Sequence, residues 1–296
     1  MKKIIIGIFT GIYFAALLPA AQLPLKRVKL TSSFGESRKD HFHNGIDFGG
    51  GEQDIYPVMD GNIVFYYDRA EFPFDNDMGS GNMVIVQHDD RYRSYYFHIK
   101  EGTVNKTHMA VTETNVLGRT GDTGHSYGIH LHFSMEELNP LNMVNPLKFF
   151  KDQMEDRIRP TINGYYVRIN ESQPVLINGN LRLKENSKIV MILKCFDLAA
   201  FSGNRMGVYR IETYVNDKLF SDIKFEKLLY RDNTYYLPPN LLFQDLYLSK
   251  DEYILGEFTP DEGSHKVKIK VSDYWGNESS IERDIIFNKA EPVSEE

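Results

Sequence analysis

The sequence between residues 29 and 150 consists of short β-branched and aromatic runs that are cut by glycine-containing turns and show almost no helical periodicity. Such runs predict strands, because branched and aromatic side chains fit a pleated, half-buried surface. Residues 55–67 carry the strongest local pattern, with an apolar run, the turn pair Asp60-Gly61 and a second run. This pattern predicts a β-hairpin, and the whole segment predicts a mainly β domain.

The N-terminus has the composition of a secretory signal. A basic start at residues 1–3 precedes an apolar run over residues 4–18 and a small-residue region at 19–22. The run is shorter than the roughly 20 residues of a membrane span, so cleavage is predicted, with an uncleaved membrane anchor as the alternative. We therefore expect the chain in the periplasm or cell envelope. Cys195 is the only cysteine, which excludes an intramolecular disulfide.

The polar segment 151–157 interrupts the strand pattern and predicts a short helix or linker between two domains. Beyond it, residues 266–271 alternate between lysine and apolar side chains, as half-buried strands of a β-sandwich do. A chain of 296 residues is long enough for two domains. The predicted organisation is a signal peptide at 1–21, an antiparallel-sheet domain at 22–152, a β-sandwich accessory domain at 153–289 and an acidic tail at 290–296.

The charge of the chain and two local patterns exclude other partners. The formal net charge is -7 at pH 7, and no stretch supplies the clustered basic surface that binding of nucleic acid requires. The glycine-rich segment 118–128 lacks the Gly-Lys-Ser/Thr ending of a nucleotide loop, so it predicts close backbone approach to a groove instead. The pair Asp75-x-Asp77 lacks the later ligands of a calcium loop, and a solvated loop is predicted there.

Two short histidine patterns suggest a metal or acid-base site. His43 and Asp47 lie four residues apart and could converge through a turn, although such spacing is common by chance. His130 and His132 lie in an apolar alternation that predicts a strand. A period of two puts both imidazoles on one face, unless they only decorate a surface. The opposite face is then predicted to carry Ile129, Leu131 and Phe133.

A series of motifs follows in a fixed order over residues 31–150. The motifs are Ser33-Phe34-Gly35 with Arg38, His43-Asn44-Gly45-Ile46-Asp47, Pro57-Val58 with Asp60-Gly61, Gly81-Asn82-Met83-Val84-Ile85-Val86-Gln87-His88, Tyr96-Phe97-His98-Ile99, Gly121-Asp122-Thr123-Gly124, His130-Leu131-His132-Phe133 and Asn145-Pro146. In this order they resemble the LytM and lysostaphin type of peptidoglycan-cleaving zinc endopeptidases. More weakly, the segment from residue 261 to 277 resembles the end of bacterial immunoglobulin-like domains.

The resemblance implies one zinc ion per chain, held by His43, Asp47 and His132, with His98 and His130 as catalytic histidines that do not bind the metal. Two imidazoles and a carboxylate leave a tetrahedral zinc with a fourth position for water. The implied activity is hydrolysis of peptide bonds in peptidoglycan cross-bridges or stem peptides through a zinc-activated water. The resemblance leaves open which of the two catalytic histidines is the general base.

One departure and two alternatives qualify this interpretation. Ser134 follows His132-Phe133 where the family often has glutamate, a change that is expected to tune the ligand rather than abolish metal binding. Some relatives have lost zinc ligands and act as non-catalytic activators of other wall hydrolases, whereas this chain has all five residues. A zinc peptidase that acts on proteins is the second alternative. The sequence makes no prediction of the oligomeric state.

Overall fold

The computed structural model describes residues 21–75, 79–184, 187–200, 203–259 and 261–288. The predicted signal peptide lies outside these residues except for Ala21, and both the predicted acidic tail and Asp77 lie outside them altogether. Within the described part of the chain, no helix is long and apolar enough to cross a membrane.

The chain up to residue 153 is mainly antiparallel β-structure, as predicted. Its strands are β1 Lys29–Ser32, β2 Ile46–Gly49, β3 Asp54–Ile55, β4 Gly61–Tyr67, β5 Asn82–Gln87, β6 Tyr92–Ile99, β7 Ala110–Val111, β8 Gly118–Arg119, β9 Leu131–Leu138 and β10 Leu141–Val144. A short helix α1, Leu147–Phe150, precedes the polar segment 151–157, and a single 3-10 turn, Lys151–Gln153, lies within that segment, where the sequence predicts a short helix or linker.

Strand β9 lies at the centre of the first sheet. It pairs with β6 along one edge, while β2 and β10 share its other edge. Alternation along β6 buries Tyr92, Ser94 and Tyr96 completely and leaves the residues between them half-buried. One face of the sheet therefore closes the core.

The hairpin predicted around Asp60-Gly61 is wrong. Strand β3 pairs with β8, and β4 pairs with β5 and β7. Pro57 lies between β3 and β4 and has no backbone N–H, so strand pairing of β3 cannot extend as far as the turn. The local pattern identifies the strand after the turn and misassigns its partner.

The second half contains two further sheets. Its elements are β11 Thr161–Ile169, β12 Val175–Leu176, β13 Leu181–Lys184, β14 Ile189–Leu198, β15 Arg205–Met206, β16 Arg210–Val215, β17 Lys218–Lys224, β18 Lys227–Arg231, β19 Thr234–Tyr236, helix α2 Phe243–Leu246, β20 Tyr247–Ser249, β21 Glu252–Phe258, β22 Gly263–Ser272 and β23 Glu278–Asn288. One sheet has the order β12-β11-β14-β21-β20, with β15 on β14, and the other has the order β13-β23-β22-β16-β17.

The inward faces of these two sheets contribute to one hydrophobic core. Val267, Ile269 and Val271 on β22 are buried and alternate with half-buried residues, as their sequence pattern predicts. Strand β14 is buried along most of its length. The parallel pairing of β13 with β23 is an exception to the antiparallel arrangement. The immunoglobulin-like relationship of this half stays a prediction.

The two halves share both a sheet and a core. Strand β18 pairs with β10, so the β18–β19 hairpin of the second half extends the first sheet. Phe225 is 1% exposed and packs on the backbone of Gly35, where an added Cβ would lie 2.3 Å from its ring. The Tyr247 hydroxyl donates a hydrogen bond of 2.9 Å to the Gly35 carbonyl. The hydrophobic core thus continues across the predicted domain boundary.

We expect Phe225→Ala to lower the free energy of unfolding by about 3–5 kcal/mol, because it removes a buried ring from the junction of the two halves. Urea denaturation followed by Trp275 fluorescence measures the change. The control Leu219→Ala truncates a 55% exposed side chain in β17, the strand that ends just before Phe225. Its free energy of unfolding should stay within about 0.5 kcal/mol of the wild-type value. Equal effects of the two substitutions would contradict a shared core.

Candidate metal centre

His43 is buried in the loop between β1 and β2, where the backbone fixes its direction. Its N–H donates to the Glu36 carbonyl at 2.9 Å, and its carbonyl accepts from the Gly35 N–H at 2.7 Å. The ring atom Nδ1 lies 2.7 Å from the Ser33 carbonyl oxygen. A carbonyl oxygen can only accept a hydrogen bond, so Nδ1 carries the proton and Nε2 keeps its lone pair. Nε2 is therefore available as a metal ligand.

Asp47 and His132 face each other on paired strands. They are register partners of β2 and β9, which places both side chains on the same face of the sheet. His132 Nε2 lies 3.2 Å from Asn44 Oδ1 and 3.0 Å from Ser134 Oγ, so it donates its proton to these acceptors. Nδ1 of His132 then keeps a lone pair and lies 3.0 Å from Asp47 Oδ1.

The donor atoms of His43, Asp47 and His132 have the spacing of a compact metal site. His43 Nε2 lies 2.9 Å from His132 Nδ1 and 3.2 Å from Asp47 Oδ1. A tetrahedral zinc with bonds of about 2.0–2.2 Å separates its ligand atoms by roughly 3.3 Å, close to these values. Two imidazoles and one carboxylate also match the ligand types that zinc takes in catalytic sites. The residues present therefore fit a zinc ion.

His98 and His130 stand beside these three residues. Their ring centroids lie 4.8 Å apart, and His130 Nε2 is 3.9 Å from Asp47 Oδ1. His98 Nδ1 lies 2.8 Å from the Thr123 carbonyl and His130 Nδ1 lies 2.8 Å from the Gly128 carbonyl, so each Nδ1 donates its proton. In the neutral form of each ring, Nε2 is then the nitrogen without a proton. The structure brings together all five residues that the resemblance names.

A β-bulge directs His98 towards the centre. The pairing of β5 with β6 passes from Val84↔Tyr96 to Asn82↔Ile99, which leaves two residues of β6 opposite one residue of β5. His98 takes a φ of 59° there, a conformation that costs energy for a residue other than glycine. Bulges commonly redirect a side chain next to an active site.

His130 lies just before β9, on the groove side with His132. Leu131 and Phe133 point into the core and are fully buried, as the alternation predicts. Ile129 is 43% exposed and lines the groove, so the prediction that it lies on the core face is wrong. The residue precedes the first strand pair of β9, where the regular alternation has not yet begun.

Burial and mutual contacts keep the site in the protonation state that metal binding requires. Burial alone would raise the pKa of Asp47, but His43 and His132 outweigh it and hold that pKa well below its usual range. Burial lowers the pKa of His132 to about 4. Burial, with a further contribution from His130, also lowers the pKa of His98 to about 4. His98 and His132 are therefore neutral and Asp47 is ionised at neutral pH.

Sequence reasoning missed a buried carboxylate, Glu36, that supports the centre. Arg38 Nη2 donates to Asp47 Oδ2 at 2.5 Å and lies 3.6 Å from Glu36 Oε1. Glu36 is 1% exposed and accepts hydrogen bonds from the Ser33 N–H at 3.1 Å and the Gly207 N–H at 3.2 Å. The spacing Ser33-x-x-Glu36 could have suggested the first of these hydrogen bonds from the sequence. Gly207 is too distant in the sequence for a local pattern to reveal the second.

The centre opens into a groove of about 1310 Å³ with walls from both halves of the chain. The first half contributes the four histidines and the aspartate of the centre, and His41 and His125 also line the groove. The side chain of His41 is 66% exposed. The second half contributes Asn204, Arg205, Phe243, Tyr247, Leu248, Ser249 and Lys250.

A family model described as peptidase family M23 matches residues 41–146, which contain all five residues of the centre. Residues 41–146 belong to peptidase family M23. The predicted resemblance to LytM-type peptidases is thereby confirmed. A second family model matches residues 159–288.

The M23 domain is similar to several known proteins. It is 31% identical over 94 residues to the peptidoglycan DD-endopeptidase ShyA of Vibrio cholerae, which covers 31% of this chain and 20% of that protein. It is 29% identical over 122 residues to the murein hydrolase activator NlpD of Escherichia coli, covering 41% and 29% respectively. The catalytic domain of lysostaphin from Staphylococcus simulans matches with a TM-score of 0.35 at 24% identity, covering 42% of this chain and 92% of that domain.

Each of the three matches covers less than half of this chain. The matched segments make up between 20% and 36% of the length of the curated relatives. The activity of the whole protein is therefore argued below from its own residues.

We expect His132→Ala to lose most of its bound zinc, because it removes one of three ligands, and His130→Ala to retain zinc. Elemental analysis of purified protein by mass spectrometry measures the zinc content. His41→Ala, which truncates an exposed imidazole beside the same groove, is the matched control and should retain zinc. Equal loss in His130→Ala and His132→Ala would show that ligand and catalytic histidine have been exchanged.

We expect Ser134→Ala to raise the dissociation constant for zinc by roughly tenfold, as removal of a group that orients a metal ligand typically does. The substitution leaves Asn44 Oδ1, at 3.2 Å, as the other acceptor for His132 Nε2. Competition with a chromophoric chelator measures the constant, with the exposed Ser280→Ala as control. An unchanged constant would mean that Asn44 alone orients the ring.

Proposed function

We propose that the protein is an exported zinc endopeptidase that hydrolyses peptide bonds in peptidoglycan cross-bridges or stem peptides. The observation that carries the proposal is the convergence of His43, Asp47 and His132 with His98 and His130 in one open groove. Membership of residues 41–146 in peptidase family M23 supports the reaction class. The similarity to a peptidoglycan DD-endopeptidase supports the substrate class. Export is inferred from the predicted signal peptide.

A zinc ion held by the three ligands would polarise the scissile carbonyl and activate the attacking water. The chain itself supplies proton transfer through His98 and His130. Because the Nδ1 protons of both rings are engaged by backbone carbonyls, each Nε2 can accept a proton from water. A ring that has accepted this proton can then donate it to the leaving amine. Two adjacent imidazoles are sufficient for both transfers.

The charge of the groove also suits a carboxylate-bearing peptide. The protein has a net charge of -7, yet Arg38, Lys39, Arg205 and Lys250 all line the groove. Stem peptides carry free carboxylates, and a cleft of opposite charge attracts them and raises the rate of association. The half-buried ring of Phe97 and the exposed ring of Tyr127 add apolar surface to the lining.

An activator of other wall hydrolases is the second candidate, because the domain is also similar to the murein hydrolase activator NlpD. A protein that acts only by binding has no need for metal ligands and two catalytic imidazoles in one arrangement. The presence of all five residues favours the enzyme. A zinc peptidase that acts on proteins would use the same residues, so only its substrate distinguishes it from the first proposal.

We expect the purified zinc-loaded protein to release peptide-cleaved muropeptides from peptidoglycan, and a chelator to abolish the release. Mass spectrometry of the soluble products identifies the bond that is cleaved. His98→Ala and His130→Ala should each lose at least about a hundredfold in rate, the usual contribution of a general acid-base group, while their zinc content is retained.

Two results would overturn the proposal. The first is the absence of chelator-sensitive cleavage together with stimulation of a separate wall hydrolase, which would identify an activator. The second is cleavage of unfolded protein substrates without cleavage of peptidoglycan. His41→Ala serves as the control variant and should retain both zinc and turnover.

A further inference from the structure

A second cluster of metal-binding side chains lies at the junction of the two halves. Asp156, Asp197 and Asp273 each offer a carboxylate oxygen, and these atoms all lie within 4.8 Å of one another. All three residues are buried. They come from three separate places: the linker after the 3-10 turn, strand β14, and the residue that follows β22. The M23 reaction uses none of them.

The described part of the chain supplies no counterion for the carboxylates of this cluster. Among the residues that the structure describes, no lysine or arginine forms an ion pair with any of the three aspartates. Burial, together with Asp273 and Asp156, raises the pKa of Asp197 to about 8. Three carboxylates at this spacing therefore need a cation or a shared proton to lie together.

One oxygen of the cluster is left without a partner. Asp197 is 3% exposed, and its Oδ1 is buried and accepts no hydrogen bond in the described structure. Asp273 differs, since it accepts from the Asn277 N–H at 2.8 Å and from Asn277 Nδ2 at 2.6 Å. A buried carboxylate oxygen without a donor is costly unless a ligand completes it. The unpartnered oxygen therefore favours a bound cation in this cluster.

A small cavity adjoins the cluster. Asp197 and Asp273 line it together with Phe34 from the first half of the chain and Trp275 from the second half. Its volume is about 20 Å³, enough for about one water-sized occupant. Space for an inner-sphere water therefore exists beside the carboxylates.

We propose that Asp156, Asp197 and Asp273 bind one calcium ion at the junction between the linker and the two sheets of the second half. Oxygen-only ligands select hard cations such as calcium, magnesium and manganese. Calcium binds oxygens at about 2.3–2.6 Å, so two of its ligands lie up to roughly 5 Å apart, as the 4.8 Å limit allows. Magnesium requires near-ideal octahedral geometry at about 2.0–2.1 Å and usually keeps several waters, so a site built from three protein carboxylates suits it less well.

The ion would fasten the linker to the second half. The linker is already held there by two hydrogen bonds, from Trp275 Nε1 to the Met154 carbonyl at 3.0 Å and from Asn277 Nδ2 to the Asp156 carbonyl at 3.0 Å. The cation would join this linker to β14 and to the turn after β22 and neutralise their carboxylates. Calcium would thus hold the linker, which connects the two halves, against both sheets of the second half.

Calcium binding can be measured on the zinc-loaded full chain. Isothermal titration with CaCl₂ should give one site per chain with a dissociation constant of ~10⁻⁴–10⁻³ M, the range of extracellular calcium modules. Terbium should bind in the same place and emit sensitised luminescence, because Trp275 lines the adjoining cavity. Calcium should raise Tm, and magnesium should raise it less at the same concentration.

Asp197→Asn keeps the shape of the side chain and removes its charge. Without calcium this variant should be at least as stable as the wild type, since repulsion between carboxylates falls, and calcium should no longer raise its Tm. Asp261→Asn changes an exposed aspartate of the same half and should keep the full calcium response. The luminescence of terbium should be lost only in Asp197→Asn.

The absence of calcium binding to the wild type would overturn the proposal, whether or not any variant folds. An equal calcium response in wild type and Asp197→Asn would place the ion elsewhere and overturn it too. A shared proton in place of a cation predicts that Asp197→Asn gains stability while neither protein responds to calcium. Zinc content is measured in parallel, so that loss of the catalytic metal is distinguished from loss of calcium.

Discussion

The register between β2 and β9 is the constraint on which the rest of the site depends. It sets Asp47 opposite His132 and, one residue earlier, Ile46 opposite Phe133. Ile46 and Phe133 are fully buried, whereas their neighbours face the groove. Because side chains alternate with a period of two, a slip by one residue would expose the apolar pair and bury Asp47 and His132. Packing of the core therefore fixes the geometry of the chemical groups on the opposite face.

A correct register brings the rings together but does not decide which nitrogen faces the centre. That choice is made by hydrogen-bond acceptors from loops: the carbonyls of Ser33, Thr123 and Gly128. Each of these acceptors takes an Nδ1 proton and leaves Nε2 free. His132 is held in the opposite sense, through Nε2, and presents Nδ1. The loops thus select the tautomers, and the strands supply the positions.

The sequence predicted the features that are local or that follow a motif. The alternation of His130 with His132 gave a strand face, and the ordered motifs identified the M23 domain. The β3–β4 hairpin was wrong because a turn pair does not reveal the partner of a strand. Pairing of β18 with β10 and the contact between Glu36 and Gly207 join residues more than 80 positions apart. No local pattern encodes such contacts, so the groove wall from the second half could not be predicted.

The second half is more than a spacer, because it is built into the metal centre through a chain of buried contacts. Gly207 donates to Glu36, Glu36 lies beside Arg38, and Arg38 donates to the second oxygen of Asp47. A shift of the second half would therefore disturb the carboxylate of Asp47. The same shift would move the groove wall that contains Tyr247, whose hydroxyl donates a hydrogen bond to the Gly35 carbonyl of the first half. Access to the groove and the electrostatics of the candidate metal centre consequently both depend on the contacts at this junction.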